Sequence, residues 1–170
     1  MKTRVAILFL MALPLYAADE MRKLDFMVGE WRGEASMQQG PGKPAVALQH
    51  EMVRSKLGGK LLLIEGTGHR KLETGFPGDV VHDAVGVLSF DEKTQKYRFD
   101  AWTERAGYVQ AWFEVGEKNN ARWGFDTPEG GKIRYTITLT EQGTWHEAGE
   151  FSRDGNQWMP FFEMNLKKVK

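Results

Sequence analysis

Between Leu24 and Met37 the periodicity of the chain changes at a single glycine. Before Gly29, the apolar residues Leu24, Met27 and Val28 recur at one-turn spacing, the pattern of a short helical turn. After it, Trp31, Gly33, Ala35 and Met37 alternate with Arg32, Glu34, Ser36 and Gln38, as in a strand with one buried face. A helical turn that feeds an alternating strand through Gly29-Glu30-Trp31 suits a barrel that is plugged at one end and begun from the plug. Gly29 and Trp31 are thereby assigned to the structural base of the barrel, the indole anchoring the first strand.

The remaining chain is a series of short alternating runs broken by turn residues, as in an antiparallel barrel or sandwich. Gly40-Pro41-Gly42 closes the first strand. Ala45 to Leu57 reads as the second, with Val46, Leu48, His50 and Met52 on one face. Gly58-Gly59 turns the chain into Lys60 to Arg70, and Leu72 to Asp79 reads as the longest loop, a rim segment. Strands follow over Val80 to Phe90, Tyr97 to Thr103, Tyr108 to Val115 and Ala121 to Phe125. Ile133 to Thr140 is the cleanest period-two run, and Thr144 to Ser152 leads through Asp154-Gly155, a hairpin signal, to Gln157 to Val169. The expected fold is all-β: a single antiparallel up-and-down β-barrel of about ten strands with a short N-terminal helical plug. Closure removes the sheet edges that invite aggregation, whereas the alternative two-sheet sandwich retains them.

Lys2 and Arg4, the apolar run Val5 to Leu13 and the small residues ending at Ala17-Ala18 form the pattern of a secretory signal peptide. Residues 1–18 are read as that leader and residues 19–170 as one barrel domain, periplasmic or secreted. The apolar run is short for a membrane span, and no cysteine offers a lipid anchor, so no stable membrane insertion is expected after cleavage. The whole chain balances 23 basic against 23 acidic residues, and losing Lys2 and Arg4 tips it two charges acidic. Nucleic acid is not an expected partner, because it needs clustered positive charge. The absence of cysteine also excludes thiol catalysis, thiolate-bound zinc and iron–sulfur clusters.

Several stretches resemble a known family. Phe26-Met27-Val28-Gly29-Glu30-Trp31 resembles the Gly-x-Trp opening of lipocalin-like, or calycin, barrels. Gly86-Val87-Leu88-Ser89-Phe90-Asp91 with Lys96-Tyr97, Gly143-Thr144-Trp145, and Phe151 through Trp158 resemble the bacterial calycin-like family known only as a domain of unknown function. The resemblance implies a secreted or periplasmic barrel with an apolar interior and no agreed activity. Nitrobindin, a haem-binding barrel, is similar in shape, but its glycine-and-tyrosine opening is absent after Trp31. Lipocalins place an arginine over the Gly-x-Trp indole, where the final strand here offers Lys167 and Lys168.

Six Trp, four Tyr and ten Phe give an interior suited to a small hydrophobic or amphipathic ligand, or one filled by its own side chains. The expected lining is Met37, Leu48, His50, Met52, Tyr97, Trp112 and Tyr135, taken from apolar strand faces. No cofactor or metal is expected. Haem bound through His50 or His146 is a subsidiary reading, as is an enzyme using His50 and an inward Glu as acid and base. Glu51, Glu65, Glu104, Glu114 and Glu163 all lie in or beside strands, without a register to choose between them. His146-Glu147 lacks the second His, at helical spacing, of a zinc protease. Gly-x-Ser-x-Gly is absent and Gly66-Thr67-Gly68 lacks the Lys of a phosphate loop. No catalytic residue is assigned.

Overall fold

The structure, a computed structural model, describes residues 16–170 apart from Ala106. Most of the expected leader, residues 1–15, lies outside the described residues. Ten strands follow one helix, α1 (Tyr16–Arg22), and a 3-10 turn at Asp25–Met27: β1 (Gly29–Met37), β2 (Ala45–Lys56), β3 (Leu61–Lys71), β4 (Pro77–Asp91), β5 (Lys96–Thr103), β6 (Gly107–Val115), β7 (Asn120–Asp126), β8 (Lys132–Leu139), β9 (Thr144–Ser152) and β10 (Met159–Lys168). Each strand pairs with the next, and β1 also pairs antiparallel with β10, from Trp31↔Lys168 to Met37↔Phe162. The sheet is therefore a closed up-and-down barrel, as expected, and not the alternative two-sheet sandwich.

One end is plugged as the switch at Gly29 predicts, by more chain than expected. Met21 of α1, then Leu24 and Met27, are almost wholly buried beneath Trp31 and Leu166. Trp31 Nε1 donates to Met27 O at 2.8 Å, which ties the first strand to the 3-10 turn. The indole meets Trp145 edge-on at 5.6 Å between centroids. Lys168 Nζ, one of the two final-strand lysines, lies 5.2 Å from the Trp31 centroid, and its contact with the ring is cation–π. Gly29 has φ +143°, and a Cβ there would stand 2.7 Å from Lys170 O, so the switch residue must be glycine.

The opposite end is open and carries the connections between β1 and β2, β3 and β4, β5 and β6, β7 and β8, and β9 and β10. The rim loop expected over Leu72 to Asp79 is only a tight turn of residues 72–76. Leu72 N donates to Phe76 O at 3.0 Å and Gly75 takes φ +82°. Pro77 already begins β4, at a strand end where its missing N–H costs no ladder bond. The longest connection is residues 38–44, which the Gly-Pro-Gly sequence keeps out of the ladders.

Candidate functional site

Above the plug the barrel is hollow. A cavity of about 600 Å³ runs from Met27 and Trp145 at its floor to Met37, Gln39, Arg70 and Arg105 at its mouth. Its size comes from a division of labour around the wall. β3 and β4 turn small residues inward at Gly66, Ala84 and Gly86, whereas β5 to β10 turn in Phe99, Phe113, Trp123, Tyr135 and Phe162. The rings contact one another in series: Phe99 meets Phe113 at 5.8 Å and Trp123 at 5.1 Å, and Trp123 stacks on Tyr135 at 4.2 Å. Glycines make room for their large neighbours. A Cβ on Gly86 would stand 2.7 Å from the Phe99 ring, and one on Gly149 would stand 2.7 Å from Tyr135.

Two carboxyl groups face this apolar chamber near its floor. Glu51 on β2 is 8% exposed, Glu147 on β9 is 6% exposed, and both line the cavity. Gln49 Nε2 donates to Glu51 Oε1 at 2.7 Å, and the Glu51 carboxyl lies against Gly66, where a Cβ would be 2.6 Å away. Two indoles converge on Glu147: Trp123 Nε1 donates to Oε1 at 3.0 Å and Trp145 Nε1 to Oε2 at 3.2 Å. Burial pushes Glu51 up to about 8, and the charge of Glu147 adds to the rise. Burial likewise raises Glu147 to about 7, against the pull of its two indole donors. Burial holds Tyr135 well above the usual phenol range and keeps His82, also on the cavity wall, below the usual imidazole value.

Of the residues expected to line the interior, Met37 stands at the mouth and Tyr135 on the wall. The structure puts the others elsewhere. On β2 the inward residues are Ala47, Gln49, Glu51 and Val53, so Leu48, His50 and Met52 point outward. Leu48 sits between Glu34 and His69, and Met52 between Glu30 and Glu65, where the stems of charged side chains shield them. His50 Nε2 lies 3.2 Å from Glu30 Oε1 without hydrogen-bond geometry, beside Arg32, which bonds the same oxygen at 2.9 Å. Arg32 holds the Glu30 carboxyl below its usual range. Tyr97 faces inward but below the cavity: its hydroxyl lies 3.0 Å from Glu20 O, latching α1 to the floor. Trp112 lies on the outer surface, 43% exposed, across the bare backbone of Gly124. His146 also points outward, 3.4 Å from Glu163, so neither histidine considered for haem reaches the chamber.

The glutamates sort in the same way. Glu65 pairs with Arg54, and Glu114 with Arg122 at 3.0 Å, both outside. Glu163 faces outward, and Glu104 follows the end of β5. Only Glu51 of the five candidates lines the cavity, and Glu147 joins it from the segment considered for zinc. Glu147 could have been read from its phase, since it shares a face with Trp145, Gly149 and Phe151. Gln49 and Glu51 were hidden by the more apolar residues that flank them, Leu48 and Met52. The cavity histidine, His82, makes no hydrogen bond to a carboxylate among the described residues.

These features define a calycin-like protein: a closed antiparallel barrel, plugged at one end, with an enclosed chamber compatible with ligand binding. The chain belongs to the DUF1579 family, described as a protein family of unknown function, whose model matches residues 17–168. Among solved structures it is similar to that of Rv2717c from M. tuberculosis, with 12% identity and a TM-score of 0.59, over 88% of this chain and 97% of that one. At that identity the likeness shows the shared fold. No curated protein matches.

Proposed function

We propose that this barrel carries a small hydrophobic or amphipathic molecule in its interior, in the periplasm or outside the cell. The observation that supports this reading is the chamber itself. Its volume of about 600 Å³ falls within the range of small-molecule sites, and its walls are mostly aromatic and aliphatic, with polar groups gathered mainly at the floor and the mouth. A core designed only for stability fills such a space, because unfilled volume forfeits dispersion contacts. The leader-like pattern of residues 1–18 supports the compartment. No hydrogen-bonded histidine–carboxylate pair in the cavity favours the acid–base alternative among the described residues.

The test is native mass spectrometry of the protein purified from its own host, compared with an Ala101→Phe variant. Ala101 lines the cavity, and phenylalanine there occupies ligand space. Wild-type protein is expected to carry a non-covalent mass that the folded variant lacks. Wild-type protein that is always empty and takes up no dodecanol would overturn the reading.

A further inference from the structure

We propose that the floor of the cavity, formed by Gln49, Glu51 and Glu147, is a binding site for the cationic head of an organic amine whose apolar chain follows the aromatic wall toward the mouth. The proposal rests on the ligand-carrying reading and adds the chemical class of the ligand. Its basis is an inventory of hydrogen-bonding capacity. Glu51 Oε2 and Gln49 Oε1 accept no hydrogen bond from any described residue, although both side chains are more than nine-tenths buried and line the cavity. Each Glu147 oxygen accepts one indole N–H, which leaves a lone pair on each. Once both carboxyls are ionised, as a bound cation would hold them, the capacity left open on these three side chains is that of acceptors, apart from the second amide N–H of Gln49.

A primary ammonium has three donors and no acceptor, and it is the complement of such a floor. A fatty-acid carboxylate would instead meet two carboxyl groups and no basic side chain. The basic side chains that line the cavity are at its mouth. Lys71 there is committed to Glu34 at 2.5 Å, and Arg70 and Arg105 are exposed. Besides the two glutamates, the titratable groups facing the chamber are Tyr135, His82 and these three mouth residues. None forms an ion pair with Glu51 or Glu147 among the described residues.

Charge balance defines how such a ligand enters. With the chamber free of cations, burial favours the protonated form of Glu51. An ammonium arriving at the floor replaces that proton: the carboxyl O–H bond breaks, the proton leaves to solvent, and carboxylate and ammonium remain as a pair. Amine binding should therefore release a proton and strengthen as pH rises from about 6 to 8.

Four dodecyl probes test the idea below their micellar concentrations: dodecylamine, dodecyltrimethylammonium, dodecanol and laurate. Tryptophan fluorescence reads affinity, and calorimetry in phosphate and in Tris counts protons. Dodecylamine is expected to bind at least about tenfold more tightly than dodecanol near pH 7.5, a difference of about 1.4 kcal/mol, with proton release. Dodecyltrimethylammonium, a cation without donors, should fall between them. Glu51→Gln and Glu147→Gln should narrow the gap between amine and alcohol to about twofold, while Leu48→Ser, on the outer face, keeps it. Near-UV circular dichroism establishes that each variant is folded. Laurate or dodecanol binding as tightly as the amine, or an amine preference that survives in the double glutamine variant, would overturn the assignment and leave the carrier reading standing. Failure of all four probes to bind would overturn both.

Discussion

Glu51 and Glu147 are the residues at which this barrel departs furthest from a plain apolar core. A carboxyl in an unfolded chain ionises near 4.5, whereas burial raises Glu51 to about 8 and Glu147 to about 7. Both folded values lie above the unfolded one, so each group keeps its proton in the folded state where the unfolded chain has lost it. Their contribution to stability is complete below about pH 4.5 and is lost as pH rises through 7 and 8. Glutamine has no charge to bury and removes that dependence. The melting temperature of Glu51→Gln, measured from pH 5 to 8.5, should gain on the wild type by several degrees as pH rises, since about 1 kcal/mol corresponds to some 2–4 °C for a domain of this size. A gap that stays constant with pH would mean that Glu51 ionises as freely folded as unfolded.

Among the elements, β8 and β2 show what an alternating pattern can and cannot disclose. Ile133, Tyr135, Ile137 and Leu139 are separated by Arg and Thr, and the apolar set is the inward one. On β2 the more apolar set, Leu48 and Met52, is outward, because the inward set includes the polar pair that furnishes the site. A strand that carries function on its buried face reverses the usual signal, and a one-residue phase error moves every side chain to the other surface. The missing information was on a neighbouring strand: Gly66 and Gly68 mark an inward row too small to fill its own space, and β2 answers it with Glu51 and Gln49. The barrel class, the plug and the place of Trp31 depended on local periodicity and were legible. Which strand faces the lumen with which residues depended on pairing between strands, and was not.

The same reasoning reassigns Tyr97 from ligand lining to a latch between β5 and α1. Its hydroxyl lies within reach of Glu20 O at 3.0 Å and Glu20 Oε2 at 3.1 Å, while Lys23 also holds that carboxylate, at 2.7 Å. Tyr97→Phe removes the bond and little volume, so it should cost about 1 kcal/mol. The loss should appear as faster amide hydrogen exchange confined to α1 and the turn after it. Exchange unchanged in residues 17–24 would show that the Tyr97–Glu20 bond does not hold the helix.

Taken as a whole, the molecule encloses its chamber by joining the first strand to the last, with the plug sealing the end at which they meet Trp31. The cavity wall is therefore the entire sheet, and a ligand inside touches strands from both halves of the chain. Unfolding must destroy such a site completely, so a molecule that binds the barrel and not the open chain stabilises the whole fold. At a free concentration of about one hundred times Kd the gain is about 2.7 kcal/mol, or roughly 5–10 °C in melting temperature for a domain of this size. An apolar probe such as dodecanol should therefore raise the melting temperature of the wild type by that amount in one cooperative transition. It should leave Ala101→Phe, whose new ring occupies the chamber, unmoved. The control separates interior binding from adhesion to the exposed rings of Trp102, Tyr108 and Trp112 on the outer wall, which Ala101→Phe retains. An equal shift in both proteins would place the probe on that surface and detach ligand binding from the cavity.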